Sequence, residues 1–259
     1  PAGIVTAYED GVPVIESRAV VGKDGTPTPE MSTAVTYVRV NPTWTVPESI
    51  IERNGWRQRL ADDPGFFEDN GFDVEWRGRL VSPWEASADP WAAGWFVQRP
   101  GPGNALGLVK IGLAESDGIY LHDTNEPTRF GADLRAASAG CVRVEEIREV
   151  AAWILDTDRW TVDSMVDAGQ MTDHRPPRPV RVVLGYWTAW PDAAGEVRYY
   201  PDIYGLDGPP ASCRPGAYTG SGTEAWPTAV SGFGSGSAWD TWPAAGGAAD
   251  GAWTESLGR

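Results

Sequence analysis

The stretch from Ile119 to Val144, IYLHDTNEPTRFGADLRAASAGCVRV, places the strongest constraint on the fold. It holds His122 and Cys141, each one of only two residues of its kind in the chain. Ile119, Tyr120 and Leu121 form a short apolar run, which predicts a strand ending at His122. Ser138, Ala139 and Gly140 predict a small-residue turn just before Cys141. The loop over 124–137 must then return the chain from His122 to Cys141. Beyond it, Ile147, Val150, Ala151 and Ile154 fall at helical spacing, with Glu145 and Glu146 in the first turn, so a helix is predicted over 144–155. Cys141 is thereby expected just before a helix N-terminus, which favours the thiolate, the nucleophilic form. A Cys with a His elsewhere in the chain is a candidate catalytic pair, provided that the fold brings them together. Gly140 would let backbone amides approach a reacting carbonyl, as an oxyanion hole requires. Spacing alone leaves a second reading open, with Cys141 a small buried apolar residue and His122 a satisfied strand-end histidine.

The run Ser138-Ala139-Gly140-Cys141-Val142-Arg143, with His122 in His-Asp-Thr upstream, resembles the nucleophile motif of the L,D-transpeptidases (the YkuD-type catalytic domain). Many members carry His where Ala139 stands. Its absence removes one polar group but keeps the nucleophile, the base and the glycine. Three further segments extend the resemblance. PEMSTAVTYVRVNPTWTVP (29–47) looks like the family's segment running into its first helix. RPGPGNALGLVK (99–110) looks like the strand entry before the histidine. TAWPDAAGEVRYYPDIYG (188–205) looks like the closing strands of the large periplasmic subgroup, whose catalytic domain carries an inserted lid.

The resemblance implies a mainly β fold with helices (α+β), a β-sandwich catalytic domain over 1–207 with residues 52–98 inserted as an aromatic-rich capping subdomain. It also implies acyl transfer on peptidoglycan stem peptides, donor and acceptor. Cys141 would attack the bond before a terminal D-Ala, form a thioester and pass the acyl group to an amine of a second stem. His122 would be the base, oriented by the main-chain carbonyl of Asp123; the Asp123 side chain would add to this or stabilise the turn. The amides of Gly140 and Cys141 would hold the oxyanion. Arg143 would bind a stem carboxylate through its planar fork or brace the loop. Ser138 would fix the turn or help to hold substrate, and Tyr120, Ala139 and Trp44 are further site candidates. Carbapenem β-lactams are implied as covalent inhibitors, and the periplasm as the location. Three alternatives stay open: a cysteine L,D-carboxypeptidase or endopeptidase with water as acceptor, attachment of a protein to peptidoglycan, and a non-catalytic glycan-binding module. Water or amine as acceptor depends on pocket shape and dryness.

Composition narrows the partners. The 259-residue chain carries a net charge of −15, which argues against nucleic acid or an anionic membrane face. No apolar run approaches the ~18 residues of a spanning helix. No Walker loop, GxGxxG or metal-spaced His/Cys set is present, so no cofactor or metal is expected. The chain starts without Met or signal peptide and is expected to be a processed product. Pairing Cys141 with Cys213 would silence the nucleophile, so both are expected reduced, or Cys213 idle in the tail. Fourteen tryptophans suit either glycan platforms or core filling.

Element signals follow the same order. Asp10-Gly11 predicts a hairpin between 4–8 and 12–21, and a third strand is predicted over 34–40. Pro47 opens a helix. Between 52 and 98 a short helix through Phe66 and Phe67 and a strand at Phe72, Val74 and Trp76 are predicted. Trp84, Trp91 and Trp95 then fall in a loop. That segment is expected to be too small for a core of its own. Strands are predicted at 106–113, 119–121, 180–186 and 196–200, the last preceded by a turn over 192–195. A second helix is predicted over 161–168, ended by Gly169. His174 is expected in a surface loop. The Gly/Ala/Ser/Trp-rich tail over 208–259 is expected to be flexible.

Overall fold

The computed structural model describes residues 2–116, 118–191 and 195–207. The predicted tail, with Cys213, lies outside the described residues, as do residues 192–194 of the predicted last turn.

Asp10 and Gly11 both take positive φ, 49° and 80°. They form the two-residue turn that joins β1 (Ile4–Glu9) to β2 (Val12–Gly22), the turn whose twist matches paired strands. The third strand, β3 (Met31–Val40), is as long as β2 within one residue. After β3 the chain leaves the main sheet through β4 (Trp44–Thr45), α1 (Glu48–Arg53), α2 (Trp56–Asp62), α3 (Pro64–Asp69), β5 (Phe72–Trp76), β6 (Arg79–Val81), α4 (Pro83–Ala86) and β7 (Ala93–Gln98). It returns with β8 (Val109–Leu113), β9 (Tyr120–His122), β10 (Ala136–Ser138) and β11 (Val142–Val144). Helices α5 (Ile147–Ile154) and α6 (Arg159–Asp167) follow, then β12 (Thr172–His174) and β13 (Arg181–Leu184). A small separate hairpin, β14 (Ala189–Pro191) with β15 (Val197–Tyr199), closes the described chain.

The main sheet runs β1-β2-β11-β9-β8-β3-β12, with β10 added on β2 and β13 on β3. Strands β2 and β3 each change partner along their length, so the sheet curls. Side chains alternate between its faces. Val38, Val40, Val109, Ile111, Leu121, Val142 and Val144 point to one face and are buried there with Ile147, Val150, Ala151 and Ile154 of α5 and Val162 and Val166 of α6. Each such aliphatic side chain contributes about 1.5–3 kcal/mol when fully buried. The interleaved residues, Arg39, Lys110, Tyr120, His122 and Arg143, belong to the opposite face, which carries the chemistry.

The fold is α+β and mostly β, as expected, with several differences in the elements. Helix α5 starts three residues later than predicted. The backbone through Glu145 is committed to the sheet, since Val142 and Arg143 pair with β9 and the Glu145 N–H donates to the Arg18 carbonyl at 2.9 Å. Helix α6 starts two residues earlier than predicted, because the Asp158 carboxylate accepts from the Thr161 N–H at 2.7 Å and caps it. Strands β10 and β12 fall where loops were predicted. His174 is therefore a half-buried strand residue paired with Val38.

The expectation that the inserted segment lacks a core is corrected. Val46, Ile51, Leu60, Phe67, Phe72, Val74, Val81, Ala86, Ala93 and Phe96 form a buried cluster separate from the main core. Trp56 sets its ring edge against Phe67, Phe72 and Phe96 at 5.4, 5.2 and 5.3 Å. The unit starts earlier than expected, since β4 at Trp44 already pairs with β7, and its strands form a four-stranded sheet, β4-β7-β5-β6. Trp84 and Trp95 lie on α4 and β7, and Trp91 on a short 3₁₀ turn (Pro90–Ala92); all three rings are exposed.

Candidate active site

Strands β9 and β11 run side by side and parallel, with Val142 opposite Leu121 and Arg143 opposite His122. This register puts Cys141, immediately before β11, at the level of Tyr120. On the other side of β9, Lys110 lies opposite His122 and Gly112 opposite Tyr120. Cys141, His122 and Lys110 thus gather on one face although they come from separate segments.

His122 is 4 % exposed. Its Nδ1–H donates to the Asp123 carbonyl oxygen at 2.6 Å. A carbonyl only accepts, so the proton sits on Nδ1 and Nε2 keeps its lone pair. Burial drives the imidazole pKa down to about 3; the Arg143 guanidinium and Lys110 add to this, and the backbone of Asp123 and of Leu106 opposes it. His122 is therefore a neutral imidazole at neutral pH. The Asp123 side chain works elsewhere. Its oxygens accept from the N–H groups of Leu108, at 3.0 Å, and Thr124, at 2.8 Å. Gly107, at φ +63°, leaves the space that this carboxylate occupies. Of the two roles considered for that side chain, the turn is the one its bonds support.

Cys141 is half-buried, and its thiol donates to the Gly118 carbonyl at 3.5 Å. The thiol and the imidazole are not hydrogen-bonded to each other in this conformation. Burial pushes the thiol pKa up, against the pull of the Tyr120 backbone, Lys110 and Arg143. The expectation of a helix-stabilised thiolate is thus corrected: a strand follows Cys141, and α5 begins only at Ile147. The resting pair is thiol and neutral imidazole.

The turn that carries Cys141 is tightly braced. Ser138 Oγ donates to the Cys141 carbonyl at 2.6 Å and accepts from the Gly140 N–H at 3.1 Å. The Ser138 carbonyl accepts from the Lys23 N–H and from Thr26 Oγ1, each at 3.1 Å. Thr28 Oγ1 donates to the Gly140 carbonyl at 2.8 Å, while the Thr28 N–H donates to Tyr204 Oη at 3.3 Å. Tyr204 Oη in turn donates to the Gly22 carbonyl at 2.6 Å. Gly140 takes φ +116°, and a Cβ there would lie 3.2 Å from Ile119 Cδ1, so glycine is required. The Gly140 amide, one of the two expected in an oxyanion hole, is engaged by Ser138 in this conformation, whereas the Cys141 amide has no acceptor among the described residues.

The remaining candidates fall as follows. Ser138 is 4 % exposed and its hydroxyl is used within the turn, so its role is to hold that turn. Arg143 Nη1 donates to Glu126 Oε2 at 2.7 Å and to Thr124 Oγ1 at 3.4 Å, so its fork braces the loop after β9. Glu126 also binds Arg129, and the two guanidiniums, Arg129 first, hold its carboxyl down at about 2. Ala139 is exposed at the tip of the turn. Tyr120 lies on the site face with its ring 3.5 Å from Lys110 Nζ. Trp44 packs toward Phe72 in the second core, with centroids 6.3 Å apart.

Sequence reasoning missed Lys110, Thr124 and Glu126. The signal for Lys110 is a single charge inside the apolar run Leu108 to Leu113. Among the described residues no group of three His, Cys, Asp or Glu side chains could hold a metal, and no helix is long and apolar enough to cross a membrane.

The family model of the L,D-transpeptidase catalytic domain (YkuD) matches residues 2–182. A Haemophilus influenzae protein that carries the provisional name L,D-transpeptidase is 34% identical over 208 residues, covering 77% of this chain and 42% of that protein. The chain thus spans less than half the length of that relative.

Proposed function

We propose, for a chain that belongs to the YkuD family of L,D-transpeptidase catalytic domains, that it cross-links peptidoglycan stem peptides through a thioester on Cys141. The observation that carries this reading is the register of β9 and β11, which sets Cys141 and His122 on one face of adjacent strands. His122 has its Nε2 lone pair available and its other nitrogen tied to Asp123. It accepts the thiol proton as Cys141 Sγ attacks the carbonyl before the terminal D-Ala. A neutral thiol and a neutral imidazole make this transfer part of the attack rather than a step completed beforehand. The Cys141 amide stabilises the tetrahedral oxyanion. His122 returns the proton to the leaving amine, the carbon–nitrogen bond breaks, and the thioester remains. The side-chain amine of a second stem then attacks the thioester and gives a proton to His122, the carbon–sulfur bond breaks, and His122 passes that proton to the departing Cys141 sulfur, restoring the thiol and the neutral imidazole.

The site requires no metal or cofactor in this scheme. The same chemistry makes Cys141 the expected point of acylation by carbapenems, and a peptidoglycan substrate places the enzyme in the periplasm. One experiment tests the reading: incubate the protein with purified tetrapeptide muropeptides and weigh the products. A cross-linked dimer is expected. A tripeptide alone would make the protein a hydrolase, and no product from a folded, alkylatable protein would overturn acyl transfer on this substrate.

A further inference from the structure

Arg39, Lys110 and Arg143 are among the cations on the sheet face that carries Cys141 and His122. Two of them are committed. Arg39 forms a two-point pair with Asp173, Nε to Oδ1 at 2.6 Å and Nη2 to Oδ2 at 2.7 Å. Arg143 is held by Glu126. Lys110 differs. Among the described residues no carboxylate lies within ion-pair distance of its ammonium, which rests 3.5 Å from the centre of the Tyr120 ring, while Asp173 and the Cys141 sulfur attract it through charge alone. A ring face offers a cation far less than a carboxylate does. An ammonium that is half-buried and has no carboxylate in direct contact is a ready receptor for an anion. Burial, with Arg39 nearby, lowers its pKa to about 8, so it still carries its proton at neutral pH.

We infer that Lys110 binds the C-terminal carboxylate of the donor peptide, on the leaving-residue side of the scissile bond. The inference deepens the acyl-transfer reading and rests on it. The cross-strand pairing of Lys110 with His122 carries it. His122 must reach the leaving amine to protonate it, and in a terminal amino acid that amine and the carboxylate share one Cα. A cation beside the base is therefore placed to hold the carboxylate. Arg143, expected from sequence to be a carboxylate fork, also lies opposite His122, but its Nη1 is already tied to Glu126 and its Nε is buried.

The test uses the full chain with Lys110→Met, Lys110→Gln and Lys110→Arg. Two donor tetrapeptides are compared, one with a free C-terminal carboxylate and one with a C-terminal amide. With the free acid, Lys110→Met should raise KM about ten- to a hundredfold, the range of a charge-assisted hydrogen bond, while kcat changes far less. With the amide KM should change far less, any change in kcat through the Cys141 thiol being common to both donors, and Lys110→Arg should restore much of the KM loss seen with the acid. Lys110→Gln supplies the same comparison if the Met variant does not fold. A second readout needs no peptide turnover. Cys141 is alkylated with iodoacetate, which carries a carboxylate, and with neutral iodoacetamide, and the adduct is located by peptide mapping. The ratio of the two rates should fall several-fold in Lys110→Met. If the amide donor loses as much as the acid and the reagent ratio is unchanged, Lys110 binds no carboxylate and the inference is overturned. If wild type turns over neither donor, the acyl-transfer reading fails, while the reagent ratio still decides what Lys110 attracts.

Discussion

The Nδ1–H of His122 donates to the carbonyl oxygen of the very next residue, Asp123, at 2.6 Å. This bond fixes both tautomer and ring orientation without a carboxylate partner. The backbone of Asp123 and of Leu106 favours the charged ring, but burial outweighs both and keeps it neutral far below its ordinary range.

That neutrality sets a pH dependence of stability. The unfolded chain binds a proton on His122 below about pH 6.5, whereas the folded chain does not until the pH nears 3. The unfolded state thus holds more protons in that window, and stability falls with pH through it. Wild type is expected to lose up to about 2 kcal/mol between pH 6.5 and pH 5 from this group. His122→Asn should flatten that stretch of a plot of Tm against pH. An unchanged slope would show that the ring titrates normally.

His122→Ala is expected to lower cross-linking ~10²–10⁴-fold rather than abolish it, the usual span for general acid–base help. The loss should be smallest at high pH, where the thiol of Cys141 ionises unaided. A pH profile parallel to that of wild type would count against His122 as the base.

Cys141 should alkylate with a midpoint above the ~8.5 of a free cysteine, because burial raises its pKa. Cys141→Ala should abolish both dimer formation and any carbapenem adduct seen by intact mass. A midpoint below neutrality would mean that a thiolate is already present at rest.

Ser138→Ala removes a donor to the Cys141 carbonyl and the acceptor of the Gly140 N–H. The expected cost is ~1–3 kcal/mol in urea unfolding. Activity should fall by more than stability loss explains, since the freed Gly140–Cys141 peptide no longer aims its amide. Unchanged kcat would remove the turn from any role in catalysis.

Phe67→Ala empties the centre of the inserted unit's core and should cost ~3–5 kcal/mol there. Limited proteolysis should then cut within residues 44–98, while Cys141 still reacts with iodoacetamide at the wild-type rate. Loss of Cys141 reactivity in step with cleavage would show that the two cores unfold as one.

The site's key pair was legible because its chemistry is local. A strand ending in His122 and a Ser-Ala-Gly turn before Cys141 each read directly from neighbouring residues. What joins them was not, because parallel pairing of β9 and β11 is made across an intervening loop. The helix that was expected to activate Cys141 begins later because Val144, three residues before Ile147, also alternates with Val142 as a strand residue, and the sheet claims both. Lys110 was overlooked for a related reason. Alone in an apolar run it looks like an exposed edge, and only the register places it opposite His122. The inserted segment was misjudged on length, since its boundary at Trp44 is set by pairing with β7, dozens of residues downstream.

The bond from Tyr204 to the Gly22 carbonyl spans 182 positions, and the one from Thr28 to Gly140 spans 112. Long loops must close before such contacts form, and chains emerge from the ribosome N-terminus first. The segment bearing Cys141 is thus complete as a sequence more than sixty residues before its last brace exists. A nascent chain paused short of Tyr204 would hold the whole nucleophile motif and still lack a finished turn to present it. Order in the nucleophile's surroundings arrives late in synthesis, after almost all of the described chain has been made.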